Sequence, residues 1–386
     1  MKKFYRNIII SFSLLVFLET ASWLTLGFAE FYSRQFKRYD LKSHLNLYQQ
    51  VDPSDAANWI LVPNYRSTFE EFMKQKAKEG RWLTVGLLKD ALGRNEFLPG
   101  ENAISINSFG FRGNETSIDK KYRIRILCLG DSVTFGFPGE PPYPDAISKE
   151  LLGRGYSVEV INAGVEGYAI DNLRKRFSYY CKFKPDVVIF YIGWNNLYSE
   201  ESGHNLERGF LDKAQHYSNF LRLGTKIINL MRLALTRSAH CKPGTLQDKE
   251  YRKVEINFNP VFTARLEVLI RDFKEKDQRT KIVLLTLPSL FDPYRQPDNQ
   301  TLSIGHLPEF TNNAFVLASM VYIYNDSLRR LAKGGGYYLI DLEKYSDDKL
   351  NPKNSYFFDS CHLYPKAYKL IGNYIAEGLI KEKIID

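Results

Sequence analysis

From Arg123 to the C-terminus the chain alternates two kinds of segment, and this alternation limits what it can fold into. Five short runs, IRILCLG (124–130), VEVINAG (158–164), DVVIFYIG (186–193), KIVLLTLP (281–288) and YYLIDL (337–342), are nearly continuously apolar and rich in β-branched residues. A strand with one wet face alternates polar and apolar residues, so runs without alternation read as strands covered on both faces. Between and after them lie stretches with helical spacing: Ala146–Leu152, Asp171–Phe183, Phe262–Lys276, Asn312–Lys333 and Lys366–Lys381. Strand–helix alternation of this kind predicts an α/β fold, a three-layer α/β/α sandwich on a five-stranded, mostly parallel sheet.

Such a sheet gathers at its carboxyl edge whatever follows each strand, however distant in sequence. Gly130-Asp131-Ser132-Val133-Thr134-Phe135-Gly136 follows the first run, and Asn162-Ala163-Gly164-Val165-Glu166-Gly167 closes the second. Gly193-Trp194-Asn195-Asn196 follows the third, and Asp359-Ser360-Cys361-His362 precedes the last helix. Taken singly, each has an ordinary structural role. Asp and Ser cap helices, glycines after strands make tight turns, and an isolated histidine is commonly a surface or core residue.

Together they supply the parts of hydrolytic acyl transfer. A serine nucleophile (Ser132) needs a base (His362), and the base needs a carboxylate (Asp359) to hold its tautomer. A tetrahedral oxyanion needs preorganised donors, for which the backbone N–H of Ser132, that of Gly164 and the side-chain amide of Asn195 are suitable.

The four motifs, in this order, resemble those of the SGNH hydrolase superfamily, the GDSL-type esterases and lipases: Gly-Asp-Ser-x-Thr-x-Gly at 130–136, Gly164, Gly-x-Asn at 193–195 and Asp-x-x-His at 359–362. The resemblance implies a flavodoxin-like SGNH fold from about Lys121 onward. It implies Ser132 as nucleophile, His362 as base and then acid, Asp359 orienting His362, and Ser132, Gly164 and Asn195 as the oxyanion hole. It implies no metal and no organic cofactor. Asn196 stands where the family often has Asp, which bears on loop support or pKa rather than on the donor itself. Cys361, between Asp359 and His362, reads as incidental. Upstream, Asn107-Ser108-Phe109-Gly110-Phe111-Arg112 resembles the lead-in of membrane-anchored bacterial members.

At the N-terminus, Lys2, Lys3 and Arg6 precede about twenty predominantly apolar residues, Ile8 to Phe28, a length that can span a bilayer. Trp23 and Tyr32 near the far end suit an interface, whereas Glu19 costs about 2.5–3.5 kcal/mol at a span's centre. The competing reading is a signal peptide cleaved near Gly27-Phe28-Ala29, although the apolar run exceeds a usual signal core. Either reading sends the remainder to a membrane or beyond it, expected on the periplasmic or cell-surface side, or secreted if cleaved; Arg34, Lys37, Arg38 and Lys42 after the span blunt the charge asymmetry that sets orientation. The expected organisation is an anchor at 1–30, a lead-in at 31–120 with a helix within 69–92, and a hydrolase domain at 121–386. An insertion at about 197–259 carries its own helix around Phe220–Leu235 and aromatic residues, among them Tyr198 and Tyr217.

The net charge of +9 raises nucleic-acid binding, but the basic residues are dispersed and no nucleic-acid-binding motif is present. Four separated cysteines offer neither a disulfide framework nor a CxxC metal pair. No phosphate-cradling glycine pattern follows the first strand, which disfavours a nucleotide binder. The expected partner is an acyl ester, acetyl being the simplest, on a glycan or small molecule. The same residues allow two alternatives: an O-acyltransferase passing the acyl group to an envelope glycan, and a non-catalytic envelope scaffold.

Overall fold

In the computed structural model the described residues are 10–25, 27, 47–50, 59–68, 103–136, 141–198, 218–221, 223–224, 243–244, 258–308 and 310–385. The expected helix within 69–92 and most of the insertion lie outside them. Residues 10–25 are helical, and Phe12, Leu15 and Phe17 on that helix are each about two-thirds exposed. Among the described residues no helix is long and apolar enough to cross a membrane.

Upstream of the alternating region, β1 (Tyr48–Gln50) pairs antiparallel with β2 (Trp59–Leu61), and β3 (Arg66–Thr68) with β4 (Ala103–Ser105). Three-residue strands carry too little pattern to be seen in sequence. Leu47, Leu61, Ile104, Ile106 and Phe111 from this region are buried in one hydrophobic cluster with the main sheet. The Asn107 motif is a turn held by its first residue. Asn107 Oδ1 accepts from the N–H groups of Phe109 and Phe111, both at 3.0 Å, and Arg112 then bridges to Asn162.

The five apolar runs form β5 (Ile124–Gly130), β6 (Val158–Gly164), β7 (Val187–Tyr191), β8 (Lys281–Leu285) and β9 (Tyr338–Ile340). All pair in parallel, in the order β6-β5-β7-β8-β9. That is the flavodoxin-like arrangement, in which the chain reverses direction across the first strand and opens a crevice beside it. The helices are α1 (Ser132–Phe135), α2 (Tyr143–Gly153), α3 (Ile170–Cys181), α4 (Trp194–Tyr198), α5 (Val261–Lys276), α6 (Asn299–Ile304), α7 (Ala314–Gly335), α8 (Leu342–Lys349) and α9 (Pro365–Lys381). One group, α2 with α9, packs by β6; the other, α3 on α5 on α7, packs by β8 and β9.

β9 is shorter than the apolar run suggests because Asp341 caps α8 instead of extending the strand: its Oδ1 accepts from the Lys344 N–H at 3.1 Å. Arg125, the one charged residue of β5, is fully buried at the amino end of the sheet. There its guanidinium meets Glu159 at 2.5 Å and the carbonyls of Phe183, Ser117 and Ile118, partners that a buried charge requires. The carboxyl edge is thus left to different chemistry.

Candidate active site

β5 ends at Gly130, and Asp131 caps the single-turn helix α1, its Oδ1 accepting from the Val133 N–H at 3.0 Å. Gly136, with φ +92°, ends that turn and returns its N–H to the Ser132 carbonyl at 2.9 Å. Ser132 is therefore presented at the edge of the sheet by a turn closed at both ends. Arg112 from the lead-in braces its far end: its side chain donates to the Phe135 carbonyl, and the guanidinium carbon lies 4.3 Å above the Phe135 ring.

The opposing residues come from a narrow loop at 356–364, zipped by the Tyr364 N–H to the Tyr356 carbonyl at 2.9 Å and the Phe358 N–H to the His362 carbonyl at 2.8 Å. Asp359 Oδ1 accepts from the N–H groups of Cys361 at 2.9 Å and His362 at 2.8 Å. That leaves Oδ2 to meet His362 Nδ1 at 2.7 Å, while His362 Nε2 stands 2.8 Å from Ser132 Oγ. With Nδ1–H donating to the carboxylate, Nε2 is the acceptor for the serine hydroxyl. Ser132, His362 and Asp359 are thus brought into one chain of hydrogen bonds across 230 positions of sequence.

The three expected oxyanion donors sit on adjacent strand ends. Gly130 is in register with Gly164 of β6 and with Tyr191 of β7, two residues before the Gly193 turn that leads to Asn195. Their present partners differ. The Gly164 N–H donates to Asn162 Oδ1 at 3.0 Å, and Asn195 Nδ2 donates one hydrogen to the Tyr168 carbonyl at 2.9 Å, which orients the amide. Glycine is needed at 164 because α1 lies against it: a Cβ there would stand 2.1 Å from the Phe135 nitrogen. It is needed at 193 because φ is +142° and a Cβ would stand 2.1 Å from the Tyr324 hydroxyl. Asn196 supports the neighbouring loop, its Oδ1 accepting from the Ile170 N–H at 3.2 Å.

The electrostatics suit a base held ready. Burial opposes the charged form of Asp359, yet His362 and then His306 beside it keep its carboxyl well below the usual range. Burial likewise opposes the His362 imidazolium, but Asp359, then Asp131 and Glu166, outweigh it and hold that pKa above the ordinary value. Asp131 is pushed up to about 6 by burial, against the Val133 N–H, the His362 charge and the N–H groups of Gly193 and Trp194. The buried Cys361 thiol is raised well above its ordinary value, first by burial and then by Asp359, so it is no thiolate nucleophile at neutral pH.

Sequence reasoning missed Arg112 as a brace, Glu166 as a charge near the base, and His306 beside Asp359. Glu166 is held by the Tyr48 hydroxyl of the lead-in, and Tyr168 donates to the Trp59 carbonyl at 2.5 Å, so the lead-in closes over the loop after β6. His306 Nδ1 lies 3.8 Å from Asp359 Oδ2. Arg112 carried a signal through its place in the Asn107 motif and Glu166 through the stretch that closes the second apolar run; His306 carried none.

Three comparisons bear on this geometry. The model of the GDSL-like lipase/acylhydrolase family matches residues 128–370. No curated protein matches the chain. Solved structures that match include the acetyl xylan esterase AlAXEase, at 20% identity over 68% of this chain and 100% of that one, with a TM-score of 0.39. A lipase/acylhydrolase from Enterococcus faecalis matches at 17% identity over 67% of this chain and 96% of that one, TM-score 0.38. An acetyl xylan esterase from Geobacillus stearothermophilus matches at 14% identity over 67% and 95%, TM-score 0.42.

Proposed function

The chain belongs to the GDSL-like lipase/acylhydrolase family and is an ester-hydrolysing enzyme, and from that premise we propose that Ser132, His362 and Asp359 are its catalytic triad. The observation that carries the reading is the unbroken chain Ser132 Oγ–His362 Nε2–Nδ1–Asp359 Oδ2, at 2.8 and 2.7 Å.

In this reading His362 Nε2 takes the Ser132 proton as Oγ attacks the ester carbonyl. The imidazolium so formed is held by Asp359, then gives its proton to the leaving alcohol. Water repeats the sequence on the acyl-serine and frees the acid. The oxyanion is received by the Ser132 N–H, the Asn195 amide and the Gly164 N–H, the last by sharing or exchanging its bond to Asn162. Removing the Asn195 amide alone lowers kcat by about 10²–10³ in this scheme. The chemistry needs no cofactor.

For substrate we take an acyl ester, acetyl first, borne by a glycan or small alcohol. Half-buried Tyr48 and Trp59 over the 164–168 loop, and Tyr198 by α4, support a sugar-facing wall. We also take the apolar stretch 8–28 as an anchor, supported by the helix at 10–25 with its exposed Phe12, Leu15 and Phe17, behind Lys2, Lys3 and Arg6. The domain at 121–386 would then lie outside the cytoplasmic membrane, joined to the anchor by the 31–120 lead-in.

The full chain should hydrolyse p-nitrophenyl acetate, and Ser132→Ala should lower kcat by about 10⁴-fold or more with the fold intact by circular dichroism. A wild-type rate equal to that of Ser132→Ala would sink the triad. Turnover that appears only on adding a glycan acceptor would instead identify an O-acyltransferase using the same serine.

A further inference from the structure

The loop that bears Asp359 and His362 also holds Cys361, which the triad does not use, and it faces His306 from the segment after α6. We infer that His306, Asp359 and Cys361, with His362 alongside, form a binding site for a thiophilic divalent cation of the zinc class, and that filling it switches the hydrolase off. The inhibitory half of this inference rests on the triad proposed above; the binding half does not.

The donor atoms already stand near a metal's spacing. One imidazole nitrogen of His306, a carboxylate oxygen of Asp359 and Cys361 Sγ all lie within 4.8 Å of one another. His306 Nδ1 is 3.8 Å from Asp359 Oδ2, and His362 Nδ1 is 3.4 Å from Cys361 Sγ and 2.7 Å from Asp359 Oδ2. Tetrahedral zinc, with bonds of about 2.0–2.3 Å, separates its donors by roughly 3.3–3.7 Å. Shifts of about an ångström to an ångström and a half therefore bring His306, Asp359 and Cys361 to that spacing, and His362 Nδ1, already close to two of the three, is the candidate fourth ligand. Imidazole, carboxylate and thiolate are the zinc donor set, whereas magnesium and calcium want oxygen alone.

The surroundings fix the His306 backbone beside Asp359 and Cys361. The His306 N–H donates to Ser360 Oγ at 2.9 Å, and the Ser360 hydroxyl donates back to the His306 carbonyl. Tyr198 adds a hydroxyl donor to the same carbonyl at 3.0 Å, with its ring centre 5.3 Å from the imidazole. Charge also balances: a carboxylate and a thiolate neutralise a divalent cation, so no net charge is left buried.

The same geometry gives the mechanism of inhibition. Cys361 loses its thiol proton to solvent when the cation binds. A neutral His362 that ligates through Nδ1 moves its proton from Nδ1 to Nε2. Nε2 then carries a hydrogen and cannot accept one from Ser132, and Asp359 is drawn onto the metal. Nucleophile activation stops without any change at Ser132.

Titrating the full chain with zinc chloride during p-nitrophenyl acetate hydrolysis should give inhibition that saturates at one ion per chain and is reversed by EDTA, with magnesium inactive. Measured against each variant's own metal-free rate, Cys361→Ser and His306→Gln should each weaken it at least tenfold. Cobalt(II) added to the full chain should produce a thiolate-to-cobalt charge-transfer band that Ser132→Ala keeps and Cys361→Ser loses. That band without esterase activity would overturn the triad and leave the metal site standing. Zinc inhibition of equal strength in wild type and Cys361→Ser, or no cobalt–thiolate band, would overturn the metal site.

Discussion

The turn at 130–136, which carries Ser132, and the loop at 356–364, which carries Asp359 and His362, use the same local device and reach opposite electrostatic states. Each starts from a buried aspartate whose Oδ1 accepts a backbone N–H two residues on, Val133 for Asp131 at 3.0 Å and Cys361 for Asp359 at 2.9 Å. Burial penalises both carboxylates, yet Asp131 is pushed up to about 6 while Asp359 is held well below the usual range. What separates them is contact with imidazole. Asp359 lies 2.7 Å from His362 Nδ1, with His306 at 3.8 Å, whereas the His362 charge only partly offsets the burial of Asp131. The placement of partners, not depth, decides which acid is committed to its charge.

Exchanging charge for amide breaks the comparison most sharply. Asp359→Asn should lower kcat by about 10⁴, because an amide no longer fixes the Nδ1–H tautomer of His362. Asp131→Asn should stay within about tenfold of wild type, since asparagine still caps α1. Steady-state hydrolysis by the two variants, compared at one pH above the His362 titration, measures the contrast. Losses of similar size would mean that both carboxylates orient the base.

Stability should move the other way. The Asp131 carboxyl has a folded pKa of about 6, above its ordinary 3.8, so folding favours the protonated acid. The ionised group therefore destabilises the fold above about pH 6, and the penalty is absent below its unfolded pKa. Asp131→Asn should raise stability to urea at pH 8 by about 1–3 kcal/mol, with the gain gone near pH 4. A variant equally destabilised at both values would show that the carboxylate is needed structurally, not merely tolerated.

The difference between these aspartates also marks how far the sequence could be read. That Ser132, Asp359 and His362 meet at one sheet edge was legible because strand-to-edge topology follows from apolar runs, which are local, and because the four motifs stand in the order of the family they resemble. The five strands and their neighbouring helices were legible for the same reason. The short strands β1–β4 were not, since three residues hold no period. Nor was His306, which meets Asp359 through a tertiary contact in which Ser360, 54 positions away, bonds its backbone at both N–H and carbonyl. Charge states were beyond reach too: Asp131 and Asp359 each precede a short polar motif, and only the packed structure shows which one touches an imidazole. Cys361 reads as incidental in sequence because residues between this Asp and His vary in the family it resembles, and its nearness to His306 is visible only in the fold.

The smallest effect tests the comparison at long range. Glu166 follows β6, is held by the Tyr48 hydroxyl, and adds to the charges that raise the His362 pKa after Asp359 and Asp131. The base must be neutral to accept the Ser132 proton, so kcat/KM should fall on the acid side with an apparent pKa above the ordinary histidine value of about 6.5. Removing a negative charge destabilises the imidazolium and moves that limb to lower pH. For Glu166→Gln the shift should be small, and for Asp131→Asn larger, following the order of their influence on His362. Tyr48→Phe keeps the Glu166 charge while removing its hydrogen bond. Its limb should therefore stay near wild type, and a shift as large as that of Glu166→Gln would mean that the loop's position, not its charge, reaches the base.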